Sequence, residues 1–385
     1  MNRPAVSNQK AADRPYDIYL LGSVLALLSL SLVMVSSASL AYAVDLGLKP
    51  WYFALRHALS VLLGLGICIG VSYIPMLWWR KLSLPLLIVN ILFLGLLLLP
   101  GISRPVNGSL RWLFVGPISI QISEVTKLSI ILYLAQHLFQ VIQSAQRPQP
   151  WLRQKSIFLE PLIFLGMIAG LLLLEPDFGA TVVIVGISMS LLFFGGAPLR
   201  PFALLVFLSL SALGLLAWIS PYRLQRLSAF LDPWSDQFNS GYQLTQSLIA
   251  FGRGSWFGMG LGNSLQKLLY LPEPHTDFIV AVLAEELGLV GVLSVLLLFT
   301  VLVYRIFRLA DKALHSGQVF SGFVAYGIGS WVAIQALINM GVSMGLLPTK
   351  GLTLPFMSYG GNSLVVLLLA IGLLLRIEFE WASKR

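Results

Sequence analysis

Apolar and polar positions along this chain fall into long blocks. Ten predominantly apolar runs succeed one another, near residues 17–38, 55–73, 82–99, 121–141, 157–174, 178–195, 201–219, 277–304, 319–346 and 360–379. A helix needs about 20 such residues to cross a bilayer, so each run predicts a span. The runs are Leu-rich and continuous, not short and alternating, which excludes a transmembrane β-barrel. The pattern predicts an all-α polytopic membrane protein of about ten transmembrane helices, one membrane domain over residues 1–385. In it, residues 1–16 form a cytoplasmic tail, and 220–276 a large extracytoplasmic loop between helices 7 and 8.

Composition agrees. Of 385 residues, 57% are hydrophobic and 11% charged, against about 25% charged in an average soluble domain. The formal charge of +9 is dispersed between the apolar runs, so no nucleic acid partner is implied and the bilayer is the surrounding medium. With the N-terminus inside, fifteen of the 25 Lys and Arg lie on the cytoplasmic side, and by the positive-inside rule both termini are cytoplasmic. The first run exceeds the roughly 7–15 residues of a signal core and reads as a span. The lone Cys68 leaves no intrachain disulfide to form.

Against that trend, Arg104, Arg111, Lys127, Arg223, Arg226, Arg253, Lys267 and Lys350 collect on or near the outer side. Cations placed there invite an anionic partner, phosphate above all. The stretch 220–276 carries aromatics and glycines as well as charges and reads as short or re-entrant helices packed at the outer face. Residues 100–120 form a second outer segment. In 347–361, Pro348, Gly351, Pro355, Gly360 and Gly361 forbid a continuous helix.

Three motifs carry a family resemblance. Residues 339–363, NMGVSMGLLPTKGLTLPFMSYGGNS, are similar to the signature of the shape, elongation, division and sporulation (SEDS) proteins, which polymerise peptidoglycan glycan strands from lipid II. The stretch 241–291, with SLIAFGRG and GLGNSLQKLLYLPE, resembles the division branch more than the elongation branch. NGSLRW at 107–112 with QISEVTK at 121–127 resembles the fourth-helix motif. One departure is Ile122, where the family usually has proline before the acidic residue, which leaves the local helix start open.

The resemblance implies a peptidoglycan glycosyltransferase in the bacterial inner membrane at the division septum. Its implied partners are lipid II, a class B penicillin-binding transpeptidase and divisome regulatory proteins. A hydroxyl of the acceptor sugar attacks the anomeric carbon of the donor, and undecaprenyl pyrophosphate leaves with inversion. That needs one base and cations for the pyrophosphate. Asp277, in an HTDF match at the start of the eighth span, is the candidate base. The dipole of the following helix should keep it ionised, although an aspartate there also serves as an N-cap. His275 is a second candidate base, or orients the loop.

Glu124 and Lys127 share a helix face three residues apart, either as a packing ion pair or with Lys127 facing the pyrophosphate and Glu124 holding it. Glu285 and Glu286 lie about 12 Å along the helix from Asp277; one is expected to line a cavity and the other to bond a neighbouring helix. Lys350, Ser358, Gly360 and Gly361 suggest a phosphate cradle, and Arg111 either a phosphate ligand or an interfacial anchor. Sequence shows no Cys/His metal cluster, and a divalent cation, Mg or Mn, bridging the pyrophosphate is left open. Two other functions remain in view, a lipid II flippase and a non-catalytic divisome scaffold.

Overall fold

The computed structural model describes residues 16–99, 101, 103, 111–115, 118–144, 150–219, 226, 228–348 and 351–383, without the side chains of 115, 118, 150–159, 210, 213, 216, 217 and 219. The elements in order are α1 (Ile18–Asp45), α2 (Tyr52–Ser72), α3 (Met76–Leu97), β1 (Trp112–Val115), β2 (Ile118–Gln121), α4 (Ile122–Ser144), α5 (Pro150–Leu174), α6 (Phe178–Phe194) and α7 (Leu199–Ile219). They continue with α8 (Tyr242–Gly254), α9 (Ile279–His315), α10 (Val319–Ser343) and α11 (Gly361–Ala382). All ten expected spans are helices. Among the described residues, seven are long and apolar enough to cross a membrane, and shorter apolar stretches lie in α5, α6 and α7. Several helices outrun their apolar runs. α3 starts at Met76, directly after Pro75, because proline's fixed φ suits a helix start and its missing N–H is no loss there.

α4 and α10 are buried over most of their length, whereas α2 and α3 turn large apolar side chains such as Leu62, Leu63, Trp78 and Leu92 outward. At one end of the bundle, polar side chains tie four helices together. Asp17 caps α1 by accepting from the Tyr19 and Leu20 amides and pairs with Arg305 of α9. Its own amide donates to Glu378 of α11, and Glu380 accepts from the Met76 amide of α3.

The opposite end holds the irregular segments. The outer segment expected at 100–120 leads into a hairpin over 112–121, in which β1 pairs antiparallel with β2, Trp112 opposite Gln121 and Val115 opposite Ile118. The runs WLFV and ISIQ are rich in the branched and aromatic residues that suit strands, and a two-residue connection is the commonest hairpin length. α4 begins at Ile122 as soon as β2 ends, so the residue in the place of a proline still starts the helix. Asn362 at the start of α11 donates to the Ser119 carbonyl (2.7 Å) and moors the hairpin.

The long loop includes a re-entrant segment. α9 is broken at Gly288, whose φ of 69° and ψ of −167° lie far from helix values. This break sits about 14 Å along the axis from Ile279 at the usual rise per residue. There α8 and the residues after it meet α9 and replace the lost helical bonds. The Met259 and Gly260 amides donate to the Glu285 and Glu286 carbonyls, and the Leu289 and Val290 amides donate to the Ser255 and Trp256 carbonyls. Non-helical backbone survives at membrane depth only when protein satisfies it in this way. Glycine is required on both sides of the contact: a Cβ on Gly258 would come within 2.1 Å of the Glu286 carbonyl oxygen, and one on Gly288 within 2.4 Å of the Gly258 nitrogen.

Candidate functional site

Asp277 lies two residues before α9 and does not cap it. The N-cap is Phe278, with no side-chain cap bond, so the capping alternative is set aside. Its carboxylate instead lies against the 351–360 loop: a Cβ added to Gly351 would sit 3.3 Å from Asp277 Oδ2. Close packing around the carboxyl, with part of the residue still accessible, raises it to about 7. The negative charge of Glu273 adds to the rise, and Arg226 and Arg111 oppose it. This is the reverse of the ionised state expected from the helix dipole. Desolvation outweighs the helix end, and near pH 7 the group is divided between its two forms.

Asp277 is placed by its backbone. Asn339 of α10 donates through Nδ2 to the Asp277 carbonyl (2.9 Å) and to the Leu352 carbonyl (2.6 Å). One turn earlier on α10, Gln335 donates to the Thr353 carbonyl (2.9 Å). Neither amide was singled out from sequence, although two polar residues four apart in an apolar span are a usable signal.

Lys127 and Glu124 form an ion pair of 2.7 Å, and the lysine side chain is wholly buried. Its ammonium also donates to Gln335 Oε1 (3.0 Å) and lies 5.1 Å from the centre of the Trp331 ring. The pair is thus the packed arrangement, and Lys127 connects to the 351–360 loop through Gln335.

Arg111, just before β1, donates to the Pro176 carbonyl and lies 3.8 Å from Asp177, the N-cap of α6. Asp177 also accepts from Ser123 Oγ (3.0 Å), which joins α4 to α6. Asp177 and the adjacent Glu175 escaped the sequence reading. Glu175 is fully buried, and both its oxygens lack a hydrogen-bond partner. Burial, then the Asp177 charge, push it up to about 8, partly offset by Arg111.

His275 stands in an aromatic enclosure, with ring centres of Phe53, Tyr42 and Tyr359 at 4.8, 5.1 and 5.3 Å. Its carbonyl accepts from the Tyr359 amide (2.9 Å). Burial lowers the imidazole to about 4, which makes it a weak base and leaves it neutral at pH 7. It holds the two loops together.

Ser358 is also occupied, its Oγ accepting from the Leu354 amide (2.8 Å) within a tight turn. Both glycines, Gly360 and Gly361, stand close to other segments on the side where a side chain would project. A Cβ on Gly360 would meet Thr353 at 3.2 Å, and one on Gly361 would meet Ser60 of α2 at 3.0 Å. These glycines let the loop pack closely before α11. Lys350, with Arg104 and Arg223, lies outside the described residues.

Glu285 and Glu286 are both fully buried and both bonded to the re-entrant segment, which corrects the expectation that one lines a cavity. Glu285 accepts from Ser264 Oγ and the Leu265 and Gln266 amides, and pairs with Arg253 (3.2 Å). Glu286 pairs with Lys267 (2.7 Å) and accepts from Ser37 of α1 (2.7 Å). The loop wraps around α9, so adjacent residues pointing about 100° apart each find a partner in it. Among the described residues no group of three His, Cys, Asp or Glu converges as metal ligands would.

Asp277, Gly351, Asn339, Arg111 and Arg226 are therefore the predicted and unpredicted groups that meet at this end. The protein is a polytopic α-helical membrane protein whose ionisable site is assembled from segments between spans. The chain belongs to the FtsW/RodA/SpoVE family, whose model, described as "Cell cycle protein", matches residues 18–382. This is the family to which the sequence motifs point.

It is 49% identical to the probable peptidoglycan glycosyltransferase FtsW of Legionella pneumophila subsp. pneumophila, over 99% of this chain and 97% of that protein. It is 52% identical to the probable peptidoglycan glycosyltransferase FtsW of Nitrosococcus halophilus, over 94% of this chain and 92% of that one. Among solved structures it resembles a chain of a peptidoglycan synthase complex, in work on the coordination of polymerization and crosslinking (TM-score 0.77, 29% identity, covering 95% of this chain and 98% of that one). It also resembles the Thermus thermophilus rod shape determining protein RodA (TM-score 0.69, 27% identity, covering 97% and 98%).

Proposed function

We infer that the chain is a peptidoglycan glycosyltransferase that polymerises lipid II, with Asp277 as general base. Its relatives at about half identity over nearly the whole chain carry the glycosyltransferase name. The observation that carries the assignment of the base is the Asp277 carboxyl, raised to about 7 and set against the 351–360 loop. A base is most useful with its pKa near the working pH, where enough is ionised and proton affinity is still high.

In the reaction, Asp277 takes the proton of the acceptor N-acetylglucosamine 4-hydroxyl. The freed oxygen pair forms the bond to the anomeric carbon of the donor N-acetylmuramic acid. The bond from that carbon to pyrophosphate breaks on the opposite face, and undecaprenyl pyrophosphate leaves with its electron pair, inverting the centre. Arg111, and Lys350 by its position beside Gly351, are assigned to the pyrophosphate charge. No second carboxylic acid is required, because pyrophosphate leaves without protonation.

The test uses the purified protein with its class B transpeptidase partner and lipid II in detergent, where flipping has no meaning. Long glycan strands are expected. Lipid II left unpolymerised under those conditions, together with its movement across vesicles, would favour the flippase reading. The transpeptidase is proposed because a structural neighbour works within a polymerising and crosslinking complex; divisome regulators and a septal location are proposed with it.

The orientation is also a proposal, supported by the basic asymmetry. The Asp17 end is placed in the cytoplasm and the hairpin end outside. Reporter fusions at residues 240 and 150 should read outside and inside respectively, and the reverse pattern would move the site to the wrong side of the membrane.

A further inference from the structure

The two amides of α10 do more than fill hydrogen bonds. Asn339 carries one Nδ2 group that donates to two carbonyls from segments far apart in sequence, Asp277 before α9 and Leu352 in the last loop. Those are the segments whose meeting sets Asp277 Oδ2 against Gly351. Gln335, one turn away on the same face, accepts from Lys127 Nζ (3.0 Å) and from Trp331 Nε1 (2.7 Å) while donating to the Thr353 carbonyl. Both side chains are buried, 0% exposed at Gln335 and 2% at Asn339, so losing these bonds leaves buried polar groups short of partners. Each amide is oriented by its partners: the end that meets carbonyl oxygens must be the NH2.

We propose that Asn339 and Gln335 form a latch that sets the position of the Asp277 carboxylate, with Lys127 acting on the reaction through Gln335 instead of through the substrate. Both are positioning residues. The proposal rests on the reading of Asp277 as base. The ion pair of Lys127 with Glu124 fixes the ammonium, the ammonium fixes Gln335, and Gln335 fixes the Thr353 carbonyl. Two residues before Thr353 is Gly351, against which the carboxylate lies. An error of about 1 Å in a reacting group can lower a rate about a hundredfold.

Loosening the latch should also change how Asp277 titrates. Its carboxyl is held high chiefly by close packing and by Glu273 of its own loop, against Arg226, which precedes α8, and Arg111, which precedes β1. His275 in the same loop is neutral. If the 351–360 loop moves away, water reaches the carboxyl, and its pKa falls toward the ordinary value of about 3.9.

The test compares wild type, Asn339→Ala and Gln335→Glu in complex with the transpeptidase partner, with lipid II as substrate across pH 5 to 9. For Asn339→Ala we expect kcat to fall about ten- to a hundredfold with KM little changed. The acid limb of kcat/KM should move below its wild-type position near pH 7. A variant that only folded less well would lose active enzyme and leave the limb where it was. Gln335→Glu keeps an acceptor for Lys127 and Trp331 but turns an oxygen toward the Thr353 carbonyl, and it should show the same split in kcat and KM.

Wild-type kcat and pH profile in Asn339→Ala would overturn the latch. If that variant does not extract as a monodisperse species, Gln335→Glu decides alone, and wild-type kinetics there would overturn it equally. Asp277→Asn run beside them separates the two readings. An active Asp277→Asn removes the base itself, whereas an inactive one with unaffected Asn339→Ala and Gln335→Glu removes only the latch.

Discussion

Asp277→Asn is expected to fold, to extract with its partner, and to polymerise lipid II about two to four decades more slowly than wild type, the usual range for losing general-base help. The substitution is nearly isosteric, and the bond from Asn339 goes to the backbone carbonyl of residue 277, not to its side chain. The helix loses nothing either, since Phe278 is the N-cap and no side chain caps α9. Packing and placement are therefore retained, and the lost proton acceptor is the main change. A pH profile gives a second reading on the same group. The base acts in its ionised form, and burial raises its pKa to about 7. kcat/KM should therefore level off above pH 7 and fall about tenfold for each pH unit below it. Near-normal synthesis by Asp277→Asn would take this residue out of the mechanism, whereas an acid limb near pH 4 would show only that its carboxyl is not raised.

Lys127→Met should have the next largest effect, first on stability. It leaves Glu124 as a buried carboxylate without its cation, and breaking a buried pair in this way costs about 3–5 kcal/mol. The thermal midpoint in detergent reads that loss. Adding Glu124→Gln removes the stranded charge and should restore most of the stability. The restored double variant then separates the possible roles of the lysine. With Gln335 no longer anchored, polymerisation should stay down by about tenfold, the scale of a modest misplacement. A stable double variant as slow as Asp277→Asn would place the ammonium on the leaving pyrophosphate. One as fast as wild type would confine the pair to packing.

The spans could be read directly, because a run of about twenty apolar residues has few stable fates other than a membrane helix. Each of the ten runs became a helix. Asp277 could also be picked out as a candidate base through a motif, and the 339–363 segment as a candidate part of the site. Its chemical state was not. A helix start suggested an ionised carboxylate, but packing by loops distant in sequence raised its pKa instead. The glutamates at 285 and 286 went the same way. Helix geometry said they point apart, and only the path of the re-entrant segment showed that both directions are filled by one loop.

Sequence alone determined the class of protein, the order of its apolar helices and the family, and it picked out a candidate carboxylate. These depend on consecutive residues, whose hydrophobicity and motif spacing survive without knowledge of the fold. Tertiary structure alone decided which polar groups are working surface and which are internal ties. Lys127 and Ser358 look like ligand contacts in a linear reading, and the fold gives them protein partners in Glu124 and the Leu354 amide, while Gly360 and Gly361 come close to Thr353 and Ser60. Asn339 and Gln335 look like incidental polar residues in a span, and the fold shows them bonded to the carbonyls of Asp277, Leu352 and Thr353. The reason is that most buried polar groups take a partner wherever the fold places one, and for the Asn339 amide nitrogen one such partner lies 62 residues away in the chain.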